Sequence, residues 1–152
     1  MEPDPIDDAA QRLIEGGLAV PETLVGCSEA DLQQVEDVAG GPLPAMYRRF
    51  MQRMGRSAGD FMRGTDILFP HVLSLRRSAD ALLRDCGGAF TLGATDFIFA
   101  SHQGYQFLFF DRALGDNPPV HYFLEGEPGP RQVFLAFSDW LRQCIADEVC
   151  AT

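Results

Sequence analysis

Apolar residues recur at helical spacing between turn signals in the first third of the chain. Asp7 and Asp8 can cap a short helix that runs to about Leu18. A second helix is predicted after Ser28, because SEAD resembles a capping box with Asp31 where Glu or Gln usually stands. The apolar side of this helix is Leu32, Val35, Val38 and Ala39, and Gly40, Gly41 and Pro42 end it.

A third helix is predicted between Pro44, which suits a first helical turn, and Gly55, which ends it. Its wide apolar stripe is typical of core packing, and a methionine-rich binding groove is the alternative. Helical spacing continues over residues 70–76 and 78–86. The stripe of the third helix consists of Met46, Tyr47, Phe50, Met51 and Met54.

Residues 96–111, DFIFASHQGYQFLFFD, change to the pattern of a β-hairpin. A three-residue loop at 102–104, with Gly104 in the left-handed conformation, pairs Ser101 with Tyr105. This register places Phe97, Phe99, Phe107 and Phe109 in one aromatic ladder, with Ile98, Ala100, Leu108 and Phe110 on the other face. A two-residue loop, which changes the pairing, is the alternative. Because both faces are apolar, we expect these strands inside a sheet with helices on at least one side.

The rest of the chain predicts two more strands, at residues 120–124 and 132–136, and a last helix capped by Ser138. The inner face of this helix is Trp140, Leu141, Cys144 and Ile145. Helices, then an antiparallel meander, then a helix define the α+β class. We therefore expect N-terminal helices, a central antiparallel sheet of about four or more strands, and a C-terminal helix packed on the sheet.

Length and net charge limit the number of domains and the kinds of partner that the chain can bind. The 152 residues fit one domain, and a formal charge of −10 with no lysine makes the chain strongly acidic. Residues 1–39 carry ten acids against one arginine, whereas residues 40–100 are net basic. We expect no binding to nucleic acid or to anionic membrane, and long-range attraction to cationic partners. Acidity that only maintains solubility is the alternative.

Cys27, Cys86, Cys144 and Cys150 form no CxxC pair and match no usual zinc spacing. We therefore expect four free thiols in a reducing compartment. The N-terminus lacks the apolar run of a signal peptide, and no stretch approaches 18 apolar residues, so we expect a cytoplasmic protein.

No catalytic, metal-binding or cofactor-binding motif is recognisable in the chain. His102 lies in the predicted turn, and Asp96 and Asp111 lie at the far ends of the hairpin, roughly 20 Å away over six strand residues. No Asp–His couple is therefore expected there. The sequence favours a binding domain without cofactor or metal over an enzyme.

Three segments resemble the SUKH superfamily, the Smi/Knr-like proteins. In the first, SEADLQQVEDVAGGPLPAMYRRFMQRMG, the resemblance is carried by Val35, Glu36, Leu43, Pro44, Tyr47, Phe50 and Gly55. GYQFLFFD resembles the family's glycine-then-aromatic strand that ends in Asp, through Gly104, Phe109, Phe110 and Asp111. FLAFSDWL resembles its C-terminal step from strand to helix. The resemblance covers about residues 28–149, with residues 1–27 as an N-terminal extension that holds a short helix.

The resemblance implies a single α+β domain without catalytic residues, similar to immunity proteins that bind and neutralise a cognate bacterial toxin, often a nuclease. The alternative is a regulatory scaffold that binds a non-toxin partner, such as a component of cell-wall synthesis. A toxin with a basic surface agrees with the acidity of this chain. Candidate contacts with the partner are acids and aromatics at the loops of the sheet: His102, Tyr105, Asp111, Asp116, Glu125 and Glu127.

Overall fold

The computed structural model describes residues 4–88 and 90–151 of the chain. The helices are α1 (Pro5–Glu15), α2 (Glu29–Ala39), α3 (Ala45–Met54), α4 (Leu75–Asp85) and α5 (Phe137–Ala151), with short 3₁₀ turns at Pro21–Thr23 and His71–Ser74. The strands are β1 (Leu24–Val25), β2 (Ser57–Ala58), β3 (Thr65–Asp66), β4 (Asp96–His102), β5 (Gln106–Asp111), β6 (Val120–Leu124) and β7 (Arg131–Phe134).

The strands form an antiparallel sheet and a small ribbon. The sheet has five strands in the order β3-β4-β5-β6-β7, so strands that are neighbours in sequence are neighbours in space. The ribbon pairs β1 with β2. A meander with α5 after its last strand confirms the predicted α+β class.

Helix α2 begins and ends where its sequence predicts. The Ser28 hydroxyl accepts a hydrogen bond from the Asp31 amide at 3.1 Å, and the Asp31 carboxylate accepts one from the Ser28 amide at 3.0 Å. Asp31 therefore completes the capping box in place of Glu or Gln. Gly40 ends the helix with a φ of 84°, a left-handed conformation that glycine adopts without steric cost.

Two predicted helix caps are wrong. The cap of α1 is Asp4, whose carboxylate accepts hydrogen bonds from the amides of Ile6 and Asp7 at 2.8 and 3.2 Å. Ser138 lies inside the first turn of α5, where its amide donates to Asn117 Oδ1 at 3.0 Å and its hydroxyl accepts from Asn117 Nδ2 at 2.8 Å. Ser138 thus ties the helix to the loop between β5 and β6 instead of capping it.

The β4–β5 loop has three residues, as predicted, but they are 103–105. Gln103 and Gly104 both have positive φ, 52° and 80°, and the Tyr105 amide donates to the His102 carbonyl at 3.3 Å. His102 therefore pairs with Gln106, so neither the predicted register nor that of a two-residue loop occurs. Gly104 has the left-handed conformation that its position predicts.

A β-bulge between Ile98 and Ala100 shifts the register once more, so that Phe97 pairs with Phe110. The predicted single aromatic ladder is wrong, because the phenylalanines divide between the two faces of the sheet. One face packs on helices α3 and α5. There, the strand residues Phe97, Phe99 and Phe110 contact Tyr47 of α3 and Phe137 and Trp140 of α5. Phe107, Phe109 and Phe123 contact Phe90 and His121 on the other face.

Candidate binding surface at one end of the sheet

A row of polar side chains crosses all five strands of the sheet. Thr65 Oγ1 lies 2.9 Å from His102 Nδ1, and His102 stands opposite Gln106. The Tyr122 hydroxyl donates a hydrogen bond to Gln106 Oε1. The Arg131 guanidinium lies over the Tyr122 ring, 5.3 Å from its centroid. These five residues, with the adjoining Tyr105, Glu125 and Glu127, are called the sheet-end surface below.

The row lies on the face of the sheet that α3 and α5 cover. Phe110 contacts Tyr47 of α3 and Phe137 of α5, with ring centroids 5.3 and 6.1 Å apart. Gln106 lies four residues before Phe110 on β5, and side chains at even spacing share one face of a strand. Phe110 is fully buried and Gln106 is half-buried, so helices α3 and α5 cover the Phe110 end of β5 but not the Gln106 end. The row occupies the end of the face that the helices leave open.

An open pocket of about 150 Å³ lies beside the row. One wall is Met62, whose amide donates to both carboxylate oxygens of Glu148 on α5, at 3.0 and 3.2 Å. Burial raises the pKa of the Glu148 carboxyl, and the Met62 hydrogen bond opposes that change. Helix α5 therefore fixes the wall of the pocket. The lining residues are Met62, Thr65, Ala100, Ser101, His102, Gln106, Phe107, Leu108 and Tyr122.

Backbone strain is concentrated near this pocket. Among the described residues, the two non-glycine residues with positive φ are Met62 at 56° and Gln103 at 52°. The left-handed conformation costs a residue with a Cβ atom roughly 1–2 kcal/mol. Met62 lines the pocket, and Gln103 follows His102, which also lines it. Such strain is often found at functional sites.

Four of the six predicted contact residues lie together at the sheet-end surface. The His102 ring meets the Tyr105 ring edge-on, with centroids 5.7 Å apart. The Glu125 amide donates to the Tyr105 carbonyl at 2.9 Å, which joins the β4–β5 loop to the β6–β7 loop. Glu127 follows in the same loop, and its side chain is exposed. Their contact with a partner stays a prediction.

Asp111 and Asp116 lie at the opposite end of the sheet. The Asp111 carboxylate accepts hydrogen bonds from the Thr95 hydroxyl at 2.7 Å and the Ala113 amide at 2.9 Å, so it holds the local turn. Asp116 is exposed in the loop between β5 and β6, and its carbonyl accepts from the Met46 amide at 2.9 Å. The structure therefore does not bring the six candidates onto one surface.

Sequence reasoning did not single out Thr65, Gln106, Tyr122 or Arg131. Gln106 and Tyr122 are polar positions inside largely apolar strands, QFLFFD and VHYFL, and this contrast was an available signal. This contrast identifies a site only when the strand register is known, because the register decides which polar residues share a face.

The four cysteines are free, as predicted. Burial, reinforced by the nearby Asp31, raises the pKa of Cys27 to about 11, and burial raises that of Cys144 to about 12. These two thiols therefore remain protonated and poorly nucleophilic at neutral pH. Within residues 4–88 and 90–151, no three His, Cys, Asp or Glu side chains are grouped so that they could hold a metal ion.

Comparison with known proteins identifies the family of this α+β domain. The model of the SMI1 / KNR4 family (SUKH-1) matches residues 26–143, and the chain belongs to this family. The comparison with curated proteins finds no match. Among the described helices, none is both long enough and apolar enough to cross a lipid bilayer.

Proposed function

We propose that the protein is a non-catalytic immunity protein that acts in the cytoplasm, where it binds and neutralises a cognate toxin with a basic surface. The observation that carries this proposal is the sheet-end surface, whose polar side chains lie beside an open apolar pocket, on a chain with a net charge of −10. An open pocket beside polar groups suits the docking of another protein. Membership of the SMI1 / KNR4 family (SUKH-1) supports the same class of function.

The contacts of His102 support a non-catalytic role. Its Nδ1 is engaged by the Thr65 hydroxyl, and among the described residues no carboxylate forms an ion pair with it. In a catalytic triad, a carboxylate orients the histidine and stabilises its protonated form. Asp96 and Asp111 stand opposite each other in the β4–β5 register, at the other end of the hairpin.

The charge of the chain supports the choice of partner. Enzymes that bind phosphate, nucleases among them, present basic surfaces, and an acidic protein is steered onto such a surface by long-range attraction. An acidic inhibitor can then occupy the place of the nucleic acid. Toxin neutralisation by an acidic binding domain is therefore physically consistent with this chain.

The test begins with co-purification of the tagged full-length protein from its native host, with bound proteins identified by mass spectrometry. The recovered partner is then purified, and its activity is measured against increasing amounts of this protein. We expect a partner with a basic toxic domain whose activity is lost at equimolar inhibitor. Recovery of cell-envelope or housekeeping proteins, without loss of any activity, would support the regulatory scaffold instead and contradict the immunity proposal.

A further inference from the structure

Two hollows lie on either side of Tyr122 at the sheet-end surface. The first is the pocket of about 150 Å³, whose apolar walls include Met62 and Leu108. The second, of about 420 Å³, is lined by Tyr122, Glu127, Arg131 and the turn at residues 128–130. Tyr122 is held between them by its hydrogen bond to Gln106 and by the guanidinium of Arg131. The surface thus offers an apolar hollow and a charged hollow, separated by one fixed ring.

The carboxylates at this surface are available to a partner. Glu125 and Glu127 are exposed, and within the described chain neither side chain forms a hydrogen bond or an ion pair. Arg131 brings one opposing positive charge to the second hollow, where it stacks on Tyr122. Two carboxylates against one guanidinium leave a local excess of negative charge. The surface is therefore complementary to a cation.

We propose that the sheet-end surface binds a loop of the partner protein in which an apolar side chain lies close to an arginine or lysine. The apolar side chain occupies the first hollow, and the cation pairs with Glu127 in the second hollow, with Glu125 adding to the attraction. This inference rests on the proposed function, because it assumes that the partner is a protein with a basic surface. It adds the location and the side-chain chemistry of the contact.

The apolar component follows from the walls of the first hollow. Desolvating Met62 and Leu108 favours binding by roughly 25 cal/mol for each Å² of apolar surface removed from water, whereas a charged group placed there would lose its hydration. The cation belongs in the second hollow because Glu127 lines that hollow.

The first test uses ¹⁵N-labelled full-length protein titrated with the peptide acetyl-Leu-Gly-Arg-amide, followed by amide chemical shifts. Two control peptides replace arginine with citrulline, its neutral isostere, or leucine with glycine. We expect saturable shifts over residues 101–108 and 122–131. Each control peptide should bind roughly two- to fivefold more weakly, because it lacks one partly exposed contact and such a contact contributes little free energy. Equal binding of the arginine and citrulline peptides would overturn the assignment of the cation.

The second test compares two variants of equal net charge. Glu125→Gln/Glu127→Gln removes the carboxylates of the surface, and Glu22→Gln/Asp85→Asn removes two exposed carboxylates that have no ion pair in the described chain. We expect the first variant to lose the preference for arginine over citrulline and the second to keep it. Equal loss in both, or shifts centred on α1 or α2, would show that long-range charge alone attracts the peptide. The co-purification result does not depend on this outcome, so failure here would leave the immunity proposal intact.

Discussion

Tyr47 combines close aromatic packing in the core with a buried hydroxyl. Its ring lies 5.3 Å from those of Phe97 and Phe110 and 5.5 Å from that of Phe137. Its hydroxyl is buried without a hydrogen-bond partner in the described part of the chain, and burial raises the pKa of this phenol. The ring therefore stabilises the fold while the hydroxyl opposes it.

Tyr47→Phe should raise the free energy of unfolding by roughly 1 kcal/mol, because it keeps the ring and removes a buried hydroxyl whose unpaired burial costs about 1–3 kcal/mol. Urea unfolding followed by circular dichroism measures the change. The exposed Tyr105→Phe is the matched control and should change stability little. A clear loss of stability in Tyr47→Phe would mean that the hydroxyl has a partner, such as buried water.

Asp31 makes stability depend on acid pH. Hydrogen bonds from the Arg56 side chain at 2.7 and 2.8 Å, and then from the Ser28 amide, lower the pKa of Asp31 to about 2 from an ordinary value of 3.8. Because the folded-state pKa is depressed, this stabilisation is fully present above about pH 4. It is lost as the pH falls from about 4 toward 2.

Asp31→Asn should therefore destabilise the protein most at neutral pH, and the difference from the wild type should shrink between about pH 4 and pH 2. Unfolding by urea at a series of pH values measures this difference. Asp85→Asn, at an exposed position at the end of α4, should show no comparable change. A constant difference at every pH would mean that the charge of Asp31 contributes nothing beyond its hydrogen bonds.

At the scale of elements, Gly26 lets the connection from β1 to α2 approach α3. A Cβ atom at this position would lie 1.7 Å from the carbonyl oxygen of Gln52. Directly after it, the Cys27 amide donates to the Met51 carbonyl at 2.8 Å. The β1–α2 connection and α3 are thus in backbone contact, and no side chain fits between them.

Gly26→Ala should lower the free energy of unfolding by roughly 1–3 kcal/mol or more, because the two segments must separate to admit the methyl group. Gly129→Ala is the matched control, since nothing lies within 4 Å of a Cβ atom there and its φ is outside the left-handed region. Thermal unfolding of both variants distinguishes the close approach from a general effect of replacing glycine. Equal Tm values would contradict the contact.

The elements that could be predicted are those with local signals. The ends of α2 follow from Ser28, Asp31 and Gly40, which act within one helical turn. The hairpin register could not be predicted, because the left-handed conformation of Gln103 and the bulge near Ile98 have no marker residue. The proximity of the β4–β5 and β6–β7 loops follows from any meander, so part of the candidate site was predictable. The polar row was not, because it depends on the register.

At the scale of the whole molecule, α1 is part of the core although the family match begins at residue 26. It packs on α3 and α5 and buries its apolar side chains, Ile6, Ala9, Ala10 and Leu13. Leu13→Ala should cost about 2–5 kcal/mol, as for a large side chain removed from a packed core. The exposed Gln11→Ala is the control in the same helix. Equal stability of the two variants, measured by urea unfolding, would make α1 peripheral to the fold.

The net charge acts on association before any contact is made. Long-range attraction raises the rate of association with a basic partner and weakens as salt screens it, whereas short-range contacts mainly set the rate of dissociation. Charges at the docking surface have a larger effect on the approach than equal charges elsewhere. A comparison of reversed charges at two places therefore separates the surface that docks from the charge of the whole chain.

Glu125→Arg/Glu127→Arg should slow association with the recovered partner by roughly tenfold at low salt and flatten its salt dependence. Glu22→Arg/Asp85→Arg changes the net charge by the same amount away from the sheet-end surface, and should slow association less. Stopped-flow association rates between about 0.02 and 0.5 M salt measure both effects, because screening removes attraction over this range. If association slows equally in the two variants, the net charge of the whole chain steers the encounter, and Glu125 and Glu127 lie outside the interface. If only the first slows, the partner docks on the sheet-end surface.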